Sequence, residues 1–151
     1  MFLNKDGFSF VELLIVISIM TILATIGIAS YTNVQQGGRD GRRKADMQLI
    51  RGALENYREN NNAYPTPVVA SNGLPFGTGA LTDAAGNVYL QTVPQDPLSA
   101  RKYYYTLNGA DYILASRMEG TSACTVAPTP GADTCGTGMV CNLCYGSYGQ
   151  K

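Results

Sequence analysis

Gly7-Phe8-Ser9-Phe10-Val11-Glu12 begins an apolar segment that continues to about Ala29, and Glu12 is its one charged residue. This segment has about the 20 apolar residues that a helix needs to cross roughly 30 Å of hydrocarbon. An ionised carboxylate inside that layer costs about 2.5 kcal/mol or more, and such residues are by default paired and functional. The stretch therefore predicts a membrane helix whose carboxylate has a partner.

Cleavage after Gly7 would supply that partner. The preceding residues 1–7 are short and polar toward their end, and they include one lysine. A cut between Gly7 and Phe8 frees an amine on Phe8, about one helical turn before Glu12. A positive and a negative charge would then lie together at the end of an apolar helix.

Gly7-Phe8, Glu12 and the run Leu13–Ile17 resemble the class III signal of type IV pilins and type II secretion pseudopilins. This resemblance implies that a prepilin peptidase cuts after Gly7 on the cytoplasmic face and methylates the new amine of Phe8. It also implies that Glu12 neutralises the Phe8 amine of a neighbouring subunit during filament assembly. The motif covers about residues 7 to 65, and beyond Pro65 the resemblance weakens.

The resemblance implies an α+β type IV pilin fold. We expect a long N-terminal helix, with its hydrophobic half in the membrane, packed on a small antiparallel sheet and followed by a cysteine-containing tail. The expected segments are a leader peptide over 1–7, a transmembrane and assembly half of the helix over 8–29, an amphipathic half over 30–64, and an exported β-rich head with a Cys-rich tail over 65–151.

A secretory signal and a plain membrane anchor both fit the apolar segment less well. A cleaved secretory signal has a positively charged start and an apolar core of about 7 to 15 residues. Here the start has one lysine and the core is longer. A plain single-pass anchor fits the length but gives Glu12 no role.

Apolar residues after the membrane segment predict an amphipathic helix that packs on a sheet. Met47, Ile50, Leu54 and Tyr57 recur at spacings of three, four and three. Asn60-Asn61-Asn62 is expected to end this helix, because asparagine favours turns.

Three glycines, Gly37, Gly38 and Gly41, interrupt the helical pattern. Each disfavours helix by about 1 kcal/mol relative to alanine. We therefore expect residues 37–41 to be the least stable part of the helix. They form either a place where the helix bends or melts on assembly, or a plain loop between anchor and head.

Charged side chains near these glycines are expected to be solvated. The basic cluster comprises Arg39, Arg42, Arg43 and Lys44, and two pairs, Arg42–Asp46 and Glu55–Arg58, have helical spacing. Basic residues beyond a membrane segment tend to stay cytoplasmic. The prepilin-like signal requires Gly7 on the cytoplasmic side, and the cysteines favour export of the C-terminal part, so we expect the basic cluster to be exported. Contacts with anionic head groups or with acidic residues of adjacent subunits are the functional alternatives.

The second half predicts a β-rich head. Asn108-Gly109 separates two strand-like segments, 102–107 and 111–118, and predicts a hairpin. Residues 80–86 are expected to hold a short turn or helix. Val93-Pro94-Gln95-Asp96-Pro97 followed by Tyr103-Tyr104-Tyr105 resembles the pseudopilin G branch. The aspartate-rich calcium loop of that branch has no counterpart here, so we expect no calcium site.

Four cysteines, Cys124, Cys135, Cys141 and Cys144, lie in the last 28 residues. Disulfides are their expected use in an exported domain. A zinc site is the alternative, although only Cys141-x-x-Cys144 has the short spacing of a metal cluster. Free or redox thiols are a third possibility. Two disulfides have three possible connectivities, and sequence does not choose among them.

Composition points away from catalysis and from nucleic acid. Eleven basic residues balance eleven acidic ones, and the chain has no histidine. We therefore expect no catalytic residues, no metal and no cofactor, and nucleic acid is an improbable partner.

The sequence thus predicts a structural subunit of a type IV pilus or pilus-like filament, assembled from the membrane after peptidase processing. A type II secretion pseudopilin, or a membrane-tethered exported binding domain, is the alternative. Expected partners are further copies, other pilin-like subunits, the prepilin peptidase, the inner-membrane assembly platform and the lipid bilayer. Expected locations are the inner membrane, with the C-terminal domain exported, and then a surface or periplasmic filament.

Overall fold

The computed structural model describes residues 7–68, 72–120, 124, 135–147 and 149–150. Among them, helix α1 (Phe10–Asn61) is followed by strands β1 (Leu81–Thr82), β2 (Val88–Leu90), β3 (Tyr104–Asn108), β4 (Asp111–Ser116), β5 (Leu143–Gly146) and β6 (Gly149–Gln150). Residues 1–6 of the expected leader lie outside the described residues. The α+β pilin fold is confirmed by the long apolar helix, the small antiparallel sheets and the disulfide-bonded tail.

The chain divides between Gln36 and Gly37 into two compact units. In the first unit, the described large apolar side chains from Phe8 to Val34 are exposed. The second unit, which we call the head, holds the hydrophobic core. One helix contributes residues to both units.

The core of the head forms where one face of α1 meets the sheet. Met47, Ile50 and Leu54 of α1 are fully buried, as their spacing predicts, and Tyr57 packs at the edge of the same cluster. The sheet contributes the buried residues Tyr105, Tyr112, Leu114, Leu143 and Tyr145. Burial of a large apolar side chain contributes about 1.5 to 3 kcal/mol, so this face holds the helix on the sheet.

The main sheet has the antiparallel order β3-β4-β5-β6 and is covered on both faces. Tyr105 and Leu114 are paired and face α1. Ile113 and Ala115 face the other way, into a second cluster that contains Cys135, Cys141 and Cys144. Side chains alternate between faces along a strand, so β4 is buried from Tyr112 to Ser116 because both faces are covered.

The predicted hairpin is confirmed. Strands β3 and β4 pair from Tyr104 opposite Ala115 to Asn108 opposite Asp111. Gly109 in the turn has a φ of +62°, which glycine adopts without a steric cost.

The prediction of a short turn or helix over residues 80–86 was partly wrong. Leu81–Thr82 is strand β1, which pairs with β2, and a turn closed by Asp83 follows it. The Asp83 carboxylate accepts from the backbone amides of Ala85 and Asn87, which favours the turn over a helix.

Residues 37–41 are helical, so of the two alternatives the plain loop between anchor and head was wrong. The neighbouring side chains give the physical reason. Arg39 and Arg43 form ion pairs with Glu119, and Asp40 accepts from the backbone amide of Glu119. These contacts fix the glycine-containing turn and offset its low helix propensity.

The expectation that the charged cluster is solvated was wrong for Arg39 and Arg43. Arg43 is fully buried and Arg39 is bound to Glu119, whereas Arg42 and Lys44 are exposed. Their partners lie far away in sequence, and helix periodicity carries no information about such partners.

The predicted i,i+4 pair is present, with Arg42 Nε 4.0 Å from Asp46 Oδ2 and the Arg42 side chain exposed. Asp46 also accepts from the Tyr103 hydroxyl at 2.8 Å. Glu55 accepts from the Tyr64 hydroxyl at 3.0 Å. Both carboxylates therefore help to hold the sheet and the chain after α1 against the helix.

Candidate functional site

The chain around the Gly7–Phe8 bond is non-helical and exposed. Residues 7–9 precede α1, and 85% of the Phe8 side chain is accessible. A methyl group placed on Gly7 would meet no atom within 4 Å. A peptidase reaches an exposed, non-helical bond more readily than one inside a helix.

Ser9 and Glu12 cap the start of α1. The Ser9 backbone amide donates to Glu12 Oε2 at 3.3 Å. Ser-x-x-Glu is the capping-box pattern, in which the glutamate three residues into the helix satisfies an amide that lacks a helical partner. The cap explains why the helix begins at Phe10 and leaves the Gly7–Phe8 bond outside it.

This capping function of Glu12 was missed in the sequence, although the Ser9-Phe10-Val11-Glu12 spacing is its standard signal. The Glu12 carboxylate that accepts from the Ser9 amide is also the group expected to pair with the Phe8 amine after cleavage. Glu12 lies four residues after Phe8, so cleavage would bring a new charge within one helical turn of an oxygen that already faces the helix start.

The apolar helix after Glu12 satisfies its own hydroxyl groups. Ser18, Thr21 and Thr25 donate to the carbonyls of Leu14, Ile17 and Thr21 at 2.7, 2.5 and 2.8 Å. Hydroxyls bonded to their own helix need no water, which suits an apolar surrounding. By length and composition this helix can cross a membrane, a property that some soluble core helices and signal sequences share.

A buried charge network fastens the start of the head helix. Arg43 donates to both oxygens of Asp96, at 2.7 and 2.9 Å, and to Asp40 and Glu119 at 2.7 and 3.0 Å. Arg39 donates to both oxygens of Glu119 at 2.6 Å. Paired arginine–carboxylate hydrogen bonds of this kind are short and directional.

Electrostatics keep this network ionised. The hydrogen bond from Arg39, aided by Arg43, lowers the pKa of Glu119 to about 2. Burial acts to raise the pKa of Asp40, but the amides of Glu119 and Gly120 and the Arg43 guanidinium lower it overall. Burial opposes the charge of Arg43, yet its three carboxylate partners raise its pKa above the ordinary value.

The tail cysteines form two disulfides in the structure. Cys124 bonds Cys144, and Cys135 bonds Cys141, with Cα–Cα distances of 5.2 and 5.3 Å. The Cys124–Cys144 bond, which joins residues 20 positions apart in the chain, fastens the segment at Cys124 to strand β5. Both disulfides cover the sheet face opposite α1. No group of three or more potential metal ligands is present among the residues that the structure describes.

Comparison with known proteins matches the N-terminus to a family model. Residues 3–28 fit the prokaryotic N-terminal methylation motif. This segment contains the exposed Gly7–Phe8 bond, the Ser9–Glu12 cap and most of the apolar helix.

Three curated relatives extend the similarity into the head. The type II secretion system core protein G of Klebsiella pneumoniae is 26% identical over 116 residues, which cover 75% of this chain and 76% of that protein. The proteins of the same name from Aeromonas hydrophila and Pseudomonas aeruginosa are 26% and 27% identical over 97 residues, covering 62% of this chain and 68% of each relative. No solved structure shows significant similarity.

The methylation motif, the homology to the core G proteins and the α+β fold agree with one another. The motif covers the apolar start of α1 up to Ile28, and a match over 116 of the 151 residues extends into the head. The chain is therefore similar to the type II secretion core G proteins over most of its length, and its N-terminus matches the prokaryotic methylation motif.

Proposed function

We propose that the chain is a structural subunit of a pilus or pilus-like filament, assembled from the membrane after N-terminal processing. The observation that carries the proposal is the exposed Gly7–Phe8 bond next to a capped apolar helix, inside the matched methylation motif. An unpartnered apolar surface of this size needs a membrane or other subunits to cover it.

In this proposal a prepilin peptidase removes residues 1–7, and Phe8 becomes the methylated N-terminus. Residues 8–29 anchor the precursor in the inner membrane and later form the filament interior, and 30–64 continue the helix into the exported part. Residues 65–151 complete the head, which faces the periplasm or the cell surface. The assembly platform extracts the subunit from the bilayer and adds it to further copies or to other pilin-like subunits.

Glu12 has two successive roles in the proposal. In the precursor it caps α1 through the Ser9 amide. After cleavage it pairs with the Phe8 amine of a neighbouring subunit. Pairing of two charges that are both removed from water lowers the cost of burying each one.

A second candidate, a pseudopilin of a type II secretion system, is favoured by the names of the three relatives. It requires the same processing and the same filament chemistry. Secretion of proteins by the host, lost on deletion of the gene and restored by this chain, distinguishes it from a surface pilus.

The proposed function is structural rather than catalytic. Several charged groups of the head, among them Arg43, Glu119 and Asp83, are engaged in ion pairs or turns that hold the fold. A membrane-tethered binding domain remains the contrasting function, and the two differ in whether Glu12 is needed.

The test is to express the full chain in a host with the peptidase and the assembly proteins, shear the cells and examine the sheared fraction by immunogold microscopy. Filaments that carry this chain with a mature Phe8 N-terminus support the proposal. A chain that stays entirely in the membrane fraction, while a control pilin is assembled, contradicts it.

A further inference from the structure

A polar groove of about 680 Å³ lies in the head, between the last turns of α1 and the β1–β2 hairpin. Its polar lining comes from the helix residues Asn56, Glu59, Asn60 and Asn61 and the hairpin residues Asp83 and Asn87. None of these side chains belongs to the charge network around Arg43 or to the hydrophobic core.

Three amide groups in the groove have orientations that are fixed by their partners. The Nδ2 atoms of Asn60 and Asn61 each donate to a backbone carbonyl four residues earlier, at 3.0 Å. Asn87 Nδ2 donates to an Asp83 carboxylate oxygen at 2.8 Å. Carbonyl and carboxylate oxygens only accept, so the amide nitrogens must face them and the amide oxygens remain as acceptors.

The groove is also negatively charged. Glu59 is exposed at its edge, and Asp83 is held ionised because hydrogen bonds, first of all from Asn87, lower its pKa to about 2. The C-terminal end of α1 adds a partial negative charge. Arg58, which follows Tyr57 on the helix, lies over the Tyr64 ring instead of lining the groove.

A surface rich in acceptors and negative charge complements a cation with several donors. The ammonium group of lysine has three donors and no acceptor. Within the basic cluster, Arg39 and Arg43 are bound to carboxylates of their own head, and Arg42 lies 4.0 Å from Asp46. Lys44 is exposed and takes part in no ion pair among the described residues.

Lys44 and the groove are placed for a contact between copies. Fifteen residues separate Lys44 from Glu59, which corresponds to about 22 Å along a helix and about 60° around it, and Asn60 lies about 160° around. One copy therefore presents the cation and the groove at different heights and on different sides of the helix. Two different patches that meet head to tail form a heterologous interface, which continues into an open filament.

From this complementarity we propose that the groove of one copy binds Lys44 of the next copy in the filament. The inference rests on the proposed function, since it requires filaments. It assigns the exposed lysine of the basic cluster and the asparagine-rich end of α1 to a single contact between subunits.

The test uses a zero-length carbodiimide, which joins a lysine to a carboxylate only where they touch. Within one copy Lys44 and Glu59 are about 22 Å apart along α1, so a Lys44–Glu59 cross-link must join two copies. We expect mass spectrometry to find this cross-link in sheared filaments of the full chain and not in dilute detergent-solubilised protein. Lys102, an exposed lysine of the same head, is the matched control.

Charge reversal gives an independent measurement. Glu59→Lys is expected to lower the sheared filament yield about fivefold, as for loss of an exposed ion pair, and Lys44→Glu in the same chain is expected to restore it. Glu59 is exposed, so the variant head should fold, which the circular dichroism of the membrane-extracted protein checks.

Several outcomes overturn the interface. Filaments whose Glu59 cross-links to Lys102 in place of Lys44 contradict it, and so does a double variant no better than Glu59→Lys. In either case the filament function stands. If the wild-type chain forms no filament while a control pilin does, the proposed function fails and the interface fails with it.

Discussion

Arg43 of α1 and Asp96 of the loop after β2 form a doubly hydrogen-bonded ion pair, although 53 positions separate them in the chain. The Nε–Oδ2 and Nη2–Oδ1 distances are 2.7 and 2.9 Å, and neither side chain is exposed to solvent. Removal of one partner from such a pair leaves a buried charge without compensation. The pair therefore determines how α1 is fixed to the loops of the head.

The first prediction is that Arg43→Met lowers the free energy of unfolding by about 3 to 5 kcal/mol. The reason is that Asp96, Asp40 and Glu119 all lose a donor. Urea unfolding of the full chain in detergent, followed by circular dichroism, measures the loss. Arg42→Met, at an exposed neighbouring position, should change stability by less than about 0.5 kcal/mol. Equal stability of the two variants would contradict this prediction.

The second prediction concerns acid. The folded pKa of Glu119 is about 2 against an ordinary 4.5, so the folded state binds fewer protons than the unfolded state in this range. The contribution of Glu119 is fully present above about pH 4.5 and is lost as the pH falls toward 2. Asp40, whose pKa is also lowered, acts in the same direction.

Unfolding curves at several pH values check this sign. The wild-type chain should lose stability between about pH 4.5 and 2, and Glu119→Gln should lose less across that window because it has no carboxylate to protonate. A variant with the same pH dependence as wild type would show that Glu119 does not contribute to it.

Local patterns in the sequence predicted a large part of the fold. The Met47, Ile50 and Leu54 spacing identified the buried face of α1, and Asn108-Gly109 identified the hairpin. These features depend on residues that are neighbours in the chain, and a short window of sequence contains them. The Ser9–Glu12 cap belongs to the same class, and its signal was present in the sequence.

Long-range pairs were beyond such reasoning. Nothing near Arg43 in the sequence identifies Asp96 or Glu119 as its partner, since the fold alone brings them together. The cysteine connectivity is similar, because β5 places Cys144 within reach of Cys124 only after the sheet has formed. Gly37, Gly38 and Gly41 are helical because of contacts that propensity does not include.

The third prediction separates the two disulfides. Loss of the Cys124–Cys144 bond, with a sequence separation of 20, should cost about 3 kcal/mol, and loss of Cys135–Cys141, with a separation of 6, about 2 kcal/mol. Paired Cys→Ala variants in the exported protein, compared by urea unfolding, measure these losses.

Alkylation checks the bonds directly. Without reductant the four cysteines should resist alkylation, and each bond should lower the mass by about two hydrogens relative to the reduced chain. Four freely alkylated cysteines in exported protein would contradict the disulfide assignment.

The fourth prediction concerns processing. Mass spectrometry of the chain from a host with the peptidase should find methylated Phe8 as the N-terminus. Gly7→Leu should remain full length, because a bulky side chain replaces the residue at the expected cleavage position. Gly27→Ala, which changes a glycine outside the cleavage segment, is the control and should be processed normally. An intact Met1 terminus in the wild-type chain would contradict the assignment of Gly7–Phe8.

The fifth prediction uses Glu12 to separate its capping role from its charge. Glu12→Leu removes both, whereas Glu12→Gln keeps a side chain that can accept from the Ser9 amide and removes only the charge. Both variants should enter the membrane at least as well as wild type, because a charge at that depth is unfavourable. Both should fail to assemble, because the Phe8 amine would be buried without its counter-charge, a loss of about 3 to 5 kcal/mol.

Comparison of sheared and membrane fractions for the two variants and wild type decides between the filament and the tethered domain. If Glu12→Gln assembles and Glu12→Leu does not, the cap and not the charge is what assembly requires. If both variants form filaments in wild-type amounts, Glu12 has no role in assembly, and the apolar helix serves as a plain anchor. Loss of filaments in both variants, with membrane insertion intact, is the result that the amine–carboxylate pair predicts.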